Sequence, residues 1–341
     1  VSRPDAWGPL KRLLVGALER RRGLIDSGRT RCFRAFSGEA DGIDGLFIDV
    51  YGEGATLIAY EGRAPRGFEA QREASAVLAV LNGLGVKGVY LKPFAKDRSK
   101  MGGELPPVTT EATPAAGAAV SEALVVRELD WRLEVRLYDG LSTGIFLDQR
   151  ENRAWVRDWC AARAVGGQAP KVLNTFAYTC PFSVAAAKGG AETTSVDVSN
   201  RYLEWGKRNL SHNGIDPELH RFAKMDTFEF LGYAGRKNLR YDLIVLDPPS
   251  FGSGSKKDKV APWNSVEGYA RLVAGAAALL SDGGVVLAST NTVELCRDNG
   301  ARLEKEIIKG LGKRPGWMKL PAPPLDFAGE RDRFAARAFS L

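Results

Sequence analysis

The segment Tyr241-Asp-Leu-Ile-Val-Leu-Asp-Pro-Pro-Ser-Phe251 concentrates more potential chemistry than any other stretch of the chain. Five of its first six residues are apolar or aromatic, which predicts a buried strand. Two prolines then forbid extension of a sheet ladder and stiffen the backbone. The strand must stop at Asp247 and present a rigid loop at its carboxyl end, the edge at which open α/β sheets bind ligands. Asp247 and the carbonyls of Pro248 and Pro249 can accept hydrogen bonds from a planar nitrogenous group while Phe251 stacks on it. A strand terminator without chemistry is the plainer alternative.

Three further strand ends carry polar groups. The run Leu173-Asn-Thr-Phe-Ala-Tyr-Thr-Cys-Pro-Phe182 occupies a strand-to-helix turn in which a dinucleotide fold would need glycines to approach a pyrophosphate. It contains none. A cofactor without phosphates can still use Asn174, Phe176 and Ala177. The next strand ends at Asp197-Val198, roughly twenty residues after Ala177, the usual place for an acid that binds ribose hydroxyls. Asp226-Thr227 follows a third strand, where a carboxylate can accept from an adenine amine. Each acid alone is explained by helix capping or solvation. Together with Asp247 they favour S-adenosylmethionine.

These residues need a scaffold, and the pattern from Lys171 onward supplies one. Strands are expected at 171–177, 192–197, 220–225, 241–247, 285–289 and 333–339. Helices are expected at 181–188, from Ser199 to the stop at Asn213-Gly214, at 226–231, 266–280 and 300–310, with a turn at 281–284. Such alternation implies a parallel sheet covered on both faces. The upstream part predicts a helix over 3–22, strands at 30–37, 45–51, 55–60 and 88–92, a helix over 67–81, an irregular hinge over 106–119 and a half-buried strand over 129–137. This is a small α+β domain. Its boundary is placed at 128, with the larger domain over 129–341.

At this point a resemblance is specific. Thr143-Gly-Ile-Phe-Leu-Asp-Gln-Arg-Glu-Asn-Arg153, the 173–179 turn, Phe182–Ala191, Ser195–Ser199, Leu203–Asn209, Asp247–Phe251 and Gly38-Glu-Ala-Asp-Gly42 together resemble the class I large-subunit rRNA methyltransferases, which include cytosine-C5 and guanine-N7 members. The resemblance implies a small α+β domain followed by a Rossmann-like, seven-stranded methyltransferase domain of the α/β class. It implies that the 143–150 loop, with Thr143, Phe146, Asp148, Gln149 and Arg150, folds over the methionine end of S-adenosylmethionine. The family's turn usually has glycines where Cys180-Pro181 stand, and the N-terminal PUA domain of the cytosine-C5 members has no counterpart in this sequence.

Methylating carbon-5 of a pyrimidine requires a thiolate to add to carbon-6. The cytosine-C5 members place a cysteine after the fifth strand, where this chain reads Ala288-Ser-Thr-Asn291. That segment is closer to the Ser-Asn-Asn of the guanine-N7 members, and Asp326-Phe327 is similar to them too. A purine nitrogen, guanine N7 or an exocyclic amine, is therefore the favoured acceptor. Cytosine-C5 transfer through Cys296 and a non-catalytic RNA-binding ribosome-assembly factor are the alternatives.

The expected partner is RNA, specifically rRNA, consistent with a net charge of +7. Arg20-Arg21-Arg22, the segment Lys92–Lys100 and the cationic loop 252–259 are candidate phosphate contacts. His212 and His220 have no partner in sequence, and the four cysteines are scattered without a C-x-x-C pair. No metal site or disulfide framework is expected, and the cysteine usage fits a reducing compartment. No apolar run reaches membrane-spanning length. The expected location is the cytoplasm, or an organelle if an upstream targeting segment was removed.

Overall fold

The computed structural model describes residues 8–341 except 61, 64, 66, 67, 95–112, 139–141, 166, 253, 255–261 and 331. Most of the candidate phosphate-gripping loop after Gly252, and the segment from residue 95 to Lys100, lie outside the described residues. The chain divides into two compact units: Val1–Leu147 with Pro323–Glu330, and Asp148–Ala322 with Arg331–Leu341. The boundary expected after 128 falls inside a hairpin of the first unit.

In the first unit, α1 (Gly8–Arg20) and a short α2 (Arg22–Asp26) precede β1 (Cys32–Ser37), β2 (Leu46–Tyr51) and β3 (Gly54–Tyr60). α3 (Ala70–Leu81) then crosses over to β4 (Gly88–Phe94), which pairs parallel to β3, and β5 (Ala116–Gly117) closes the edge. A hairpin of β6 (Leu124–Glu128) and β7 (Trp131–Val135) follows. Leu10, Leu14 and Ala17 of α1, and Ala74, Val77 and Leu81 of α3, recur at helical spacing and pack on Phe33, Leu46, Ile48 and Leu57 of the sheet.

The Gly38–Gly42 motif serves this core. Asp41 is buried and receives the guanidinium groups of Arg20 and Arg21, each at 2.6 Å. It also accepts the Ser37 N–H at 2.6 Å. Arg22 pairs with Glu19 on the surface. The three arginines are thus paired with carboxylates of their own unit; Arg21 is buried, while Arg20 and Arg22 stay more than half exposed. Lys92 is likewise buried. The returning segment 323–330 is held by Arg34, whose backbone N–H donates to Asp326 (2.8 Å) and whose guanidinium pairs with Glu330 (2.7 Å) and Asp49 (2.8 Å). That guanidinium also sits over the Phe327 ring. Asp326-Phe327 thus has a structural role.

The second unit starts with α4 (Arg150–Ala164), then β8 (Lys171–Thr175), α5 (Pro181–Lys188), β9 (Glu192–Asp197), α6 (Asn200–Ser211), β10 (Arg221–Lys224), α7 (Thr227–Arg236) and β11 (Tyr241–Leu246). Next come a two-residue hairpin, β12 (Phe251–Gly252) with β13 (Trp263–Asn264), then α8 (Ser265–Ala277), β14 (Leu280–Thr290), α9 (Val293–Leu311), β15 (Gly316–Met318) and β16 (Ala335–Ser340). Seven strands form one sheet in the order β10-β9-β8-β11-β14-β16-β15.

The central strands are apolar on both faces. Val172, Leu243, Val245, Val285 and Leu287 meet Val156 and Cys160 of α4 and Phe182 and Ala186 of α5. Their neighbours Leu173, Ile244, Leu246, Val286 and Ala288 meet α7, α8 and α9. Each fully buried aliphatic side chain contributes about 1.5–3 kcal/mol, which explains why these segments form the sheet's centre.

The structure differs from expectation at several points. The sheet is mixed: β16 runs antiparallel to both β14 and β15, a pairing that needs no crossover helix. The expected 281–284 turn lies within β14, where the register with β11 shifts and Gly283 takes a positive φ of 68°. α9 is two helical pieces joined at Arg297–Gly300. Helix α4 was not expected, because Arg150 and Arg153 are buried in it and interrupt the apolar stripe that reveals most helices.

Candidate active site

Strand register brings the predicted ligand-binding positions to one edge. Thr175 pairs with Val196 and with Leu246, Asp197 pairs with Lys224, and Leu246 pairs with Ala288. Phe176, Asp197, Asp226, Asp247 and Ser289 therefore all sit at the carboxyl end of the parallel strands. A cavity of about 120 Å³ opens there, walled by Phe176, Asp197, Val198, Asp226 and Thr227. Phe228, Pro249, Gly252, Pro262, Trp263 and Arg271 complete the wall, and of these sequence reasoning had singled out only Pro249 and, as the start of the cationic loop, Gly252.

The turn after β8 achieves without glycine what glycine normally permits. Phe176, Tyr178 and Cys180 all adopt positive φ, at 51°, 51° and 61°. Each such residue costs on the order of 1–2 kcal/mol, so the surroundings must hold them. Asp197 does part of this: its carboxylate accepts the Tyr178 N–H at 2.8 Å and the Ser199 N–H at 2.9 Å. Cys180 precedes α5, with Pro181 at its first position. The Cys180-Pro181 departure thus leaves a well-formed turn. Burial pushes the Asp197 carboxyl above its usual range, and the backbone N–H groups of Ser199, Tyr178 and Val198 pull it partly back.

Asp226 fulfils the plainer reading and leaves room for the other. Its Oδ1 caps α7 through the N–H groups of Phe228 (2.8 Å) and Glu229 (3.3 Å). The second oxygen remains an acceptor on a residue that lines the cavity. Phe228 and Phe176 flank Trp263 at centroid distances of 5.6 and 6.0 Å, and the Arg271 guanidinium lies over the Phe228 ring, 4.0 Å from its centroid. Two carboxylates with aromatic faces between them suit a phosphate-free nucleoside.

Other predicted residues lie off this wall. Asn174 is buried and donates to Ser183, which in turn bonds Ser195, so its side chain ties β8 to α5 and β9. Ala177 is buried, its N–H on the Val196 carbonyl. Thr143 donates to the Tyr51 hydroxyl at 3.0 Å within the first unit, and Phe146 of that unit is exposed. Asp148 is half-buried and Arg150 wholly buried at the start of the second unit.

Gln149 is buried beside Asp247. Its amide nitrogen donates to Ser289 (2.9 Å), whose hydroxyl donates to Asp247 Oδ1 (2.8 Å). Burial pushes the Asp247 carboxyl up, opposed by hydrogen bonds from Ser289 and Gln149 and by the nearby Arg153 charge. Pro248 is buried and Pro249 exposed. The Pro249 carbonyl accepts from Trp263 Nε1 (2.7 Å) and Ser265 Oγ (3.0 Å). Phe251 is 71% exposed, an uncommon condition for an aromatic ring beside a cleft.

All four cysteines are buried and none is in a disulfide. Desolvation raises Cys180 and Cys296 to about 12, and the Cys296 thiol donates to the Thr290 carbonyl at 3.4 Å. Among the described residues, no group of His, Cys, Asp and Glu side chains is arranged to hold a metal ion, and no helix is long and apolar enough to cross a membrane.

Comparison with known proteins agrees with this geometry. The profile of an S-adenosylmethionine-dependent methyltransferase family matches residues 115–306. The Bacillus subtilis protein YwbD, whose name proposes a ribosomal RNA large subunit methyltransferase, is 36% identical over 280 residues, covering 82% of this chain and 65% of that protein. Ribosomal RNA large subunit methyltransferase K of Neisseria meningitidis is 33% identical over 271 residues, covering 78% of this chain and 71% of that one. The chain thus spans just under two thirds of the Bacillus protein. The crystal structure of SMU.776, a methyltransferase complexed with SAH, superposes with a TM-score of 0.81 at 28% identity, covering 97% of this chain and 80% of that chain. The chain belongs to the S-adenosylmethionine-dependent methyltransferase family.

Proposed function

We propose that this protein methylates a nitrogen of a base in large-subunit ribosomal RNA. The relatives named for rRNA methylation support the substrate class, as does the net positive charge. The small α+β unit is then an RNA-contacting domain.

In this reading Asp197 holds the ribose hydroxyls and Asp226 the adenine amine, with Phe228 and Trp263 against the ring. S-adenosylmethionine supplies, when bound, a methyl group made electrophilic by its sulfonium. The protein's task is to bring a nucleophile into line with it. A stacked base cannot reach a recessed site, so it must leave its helix. Phe251, exposed and next to the Pro-Pro turn, is the surface on which it stacks. Asp247 accepts an N–H of the base edge, and the Pro248 carbonyl can take a second.

The observation that carries the choice of nitrogen is the state of the thiols. Carbon-5 transfer needs an accessible thiolate, whereas every cysteine here is buried and Cys296 is held protonated. A nitrogen has its own lone pair and needs only alignment, so guanine N7 or an exocyclic amine is the acceptor. Mass-spectrometric nucleoside mapping of large-subunit rRNA, incubated with and without the protein and S-adenosylmethionine, tests this. A new N-methylpurine is expected; new 5-methylcytidine, or no new methylation, would overturn it.

A further inference from the structure

Asp247 is fixed by a short chain of hydrogen bonds that runs through three elements. Asn152 of α4 donates to the Gln149 amide oxygen at 2.8 Å. That bond leaves the amide nitrogen of Gln149 facing Ser289, to which it donates at 2.9 Å. With its lone pair occupied, Ser289 Oγ has one proton to give, and Asp247 Oδ1 receives it at 2.8 Å. A longer approach to the Leu246 carbonyl, 3.4 Å, is the poorer use of that proton. Gln149, Asn152 and Ser289 are all at most 6% exposed, so water does not substitute for any link. Tyr269 of α8 anchors the strand by donating to the Ser289 carbonyl at 2.8 Å. Arg153 of α4 and the Tyr269 phenol are the other titratable groups that act on Asp247.

We infer that Ser289, backed by Gln149, is a positioning residue that orients the Asp247 carboxylate toward the target base and keeps it an acceptor. The inference rests on the reading of Asp247 as the base-binding acid. A donor bonded to one oxygen fixes the plane of the carboxylate, and each carboxylate oxygen retains acceptor capacity. The site then selects a base edge that offers N–H groups.

Methyl transfer to an in vitro large-subunit rRNA transcript, measured across a pH series, tests this. Ionised Asp247 is the stronger acceptor and has no proton to turn toward the base, so kcat should fall on the acid side. Ser289→Ala removes a hydrogen bond that favours the ionised form. It should lower kcat about tenfold, leave the KM for S-adenosylmethionine within about twofold, and move the acid limb to higher pH. Gln149→Leu should move the limb in the same direction. SAH calorimetry gives the folded, competent fraction of each variant, so a folding defect is scored separately. An unmoved limb in both variants, with kcat lowered only in proportion to lost competent protein, would overturn the positioning role. If Asp247→Ala itself keeps full kcat, the reading of Asp247 fails instead.

Discussion

The indole N–H of Trp263 donates to the Pro249 carbonyl at 2.7 Å, which ties the wall of the cavity at the sheet edge to the Pro248-Pro249 loop. Gly268 is part of the arrangement: a Cβ there would stand 2.2 Å from the Trp263 ring. Trp263→Phe keeps an aromatic face and loses the bond, worth about 1 kcal/mol. SAH affinity by calorimetry should fall by roughly fivefold, the equivalent of that energy. Unchanged affinity would separate the loop from the cavity.

Capping and ligand binding by Asp226 can be distinguished by two variants. Asp226→Ala should cost about 1 kcal/mol of stability through the lost cap and also weaken SAH binding. Asp226→Ser restores a cap with equal preference but cannot reach as far. Its melting temperature should return to the wild-type value while SAH binding stays weak. Recovery of both would leave Asp226 a cap alone.

Cys180 and Gly206 are matched. A Cβ on Gly206 would lie 2.3 Å from Cys180 Sγ, so α6 can approach the turn only as glycine. Gly206→Ala should destabilise the protein by about 1–3 kcal/mol through overpacking. Cys180→Gly relieves both the clash and the left-handed strain. In a double-mutant cycle by thermal denaturation, the pair should therefore lose much less than Gly206→Ala alone. Additive losses would show that the contact is not what excludes a side chain.

Asp247 has a raised carboxyl pKa, so the fold holds its proton more tightly than the unfolded chain does. Stability from this group is present at acid pH and lost as pH climbs from the unfolded value through the raised folded one. Asp247→Asn removes that loss. The variant should melt higher than wild type at neutral pH, with the gap closing toward acid pH, and should be catalytically impaired. Melting curves across pH check it; a gap that widens toward acid pH would contradict the sign.

Much of this site was readable as sequence because the chemistry sits on punctuated strand ends. Asp247 closes an apolar run, Asp197 and Asp226 close or follow shorter mixed strands, and parallel pairing takes strand ends to a common edge. What failed to show did so for identifiable reasons. Trp263 and Phe228 reach the cavity through tertiary folding from a loop and a first helical turn, with no periodicity to flag them. A tryptophan beside an Asn-Ser helix start was the available signal. The bond of Ser289 to Gln149 could not be read from the sequence because the two are 140 residues apart. Asn174 and Ala177 flank Phe176 but are buried, Asn174 by its bond to Ser183 and Ala177 by its N–H on the Val196 carbonyl, partners that lie in other elements. The pairing of Arg20 and Arg21 with Asp41 did not show because that acid is distant in sequence.

The most direct measurement is SAH calorimetry paired with single-turnover methyl transfer on Asp197→Ala and Asp247→Ala. Division of labour along the sheet edge predicts that Asp197→Ala loses affinity by about 100-fold or more, the equivalent of two charge-assisted hydrogen bonds. Asp247→Ala should bind SAH as the wild type does and transfer methyl groups far more slowly. Normal SAH affinity in Asp197→Ala, or lost affinity with a preserved transfer rate in Asp247→Ala, would contradict the account.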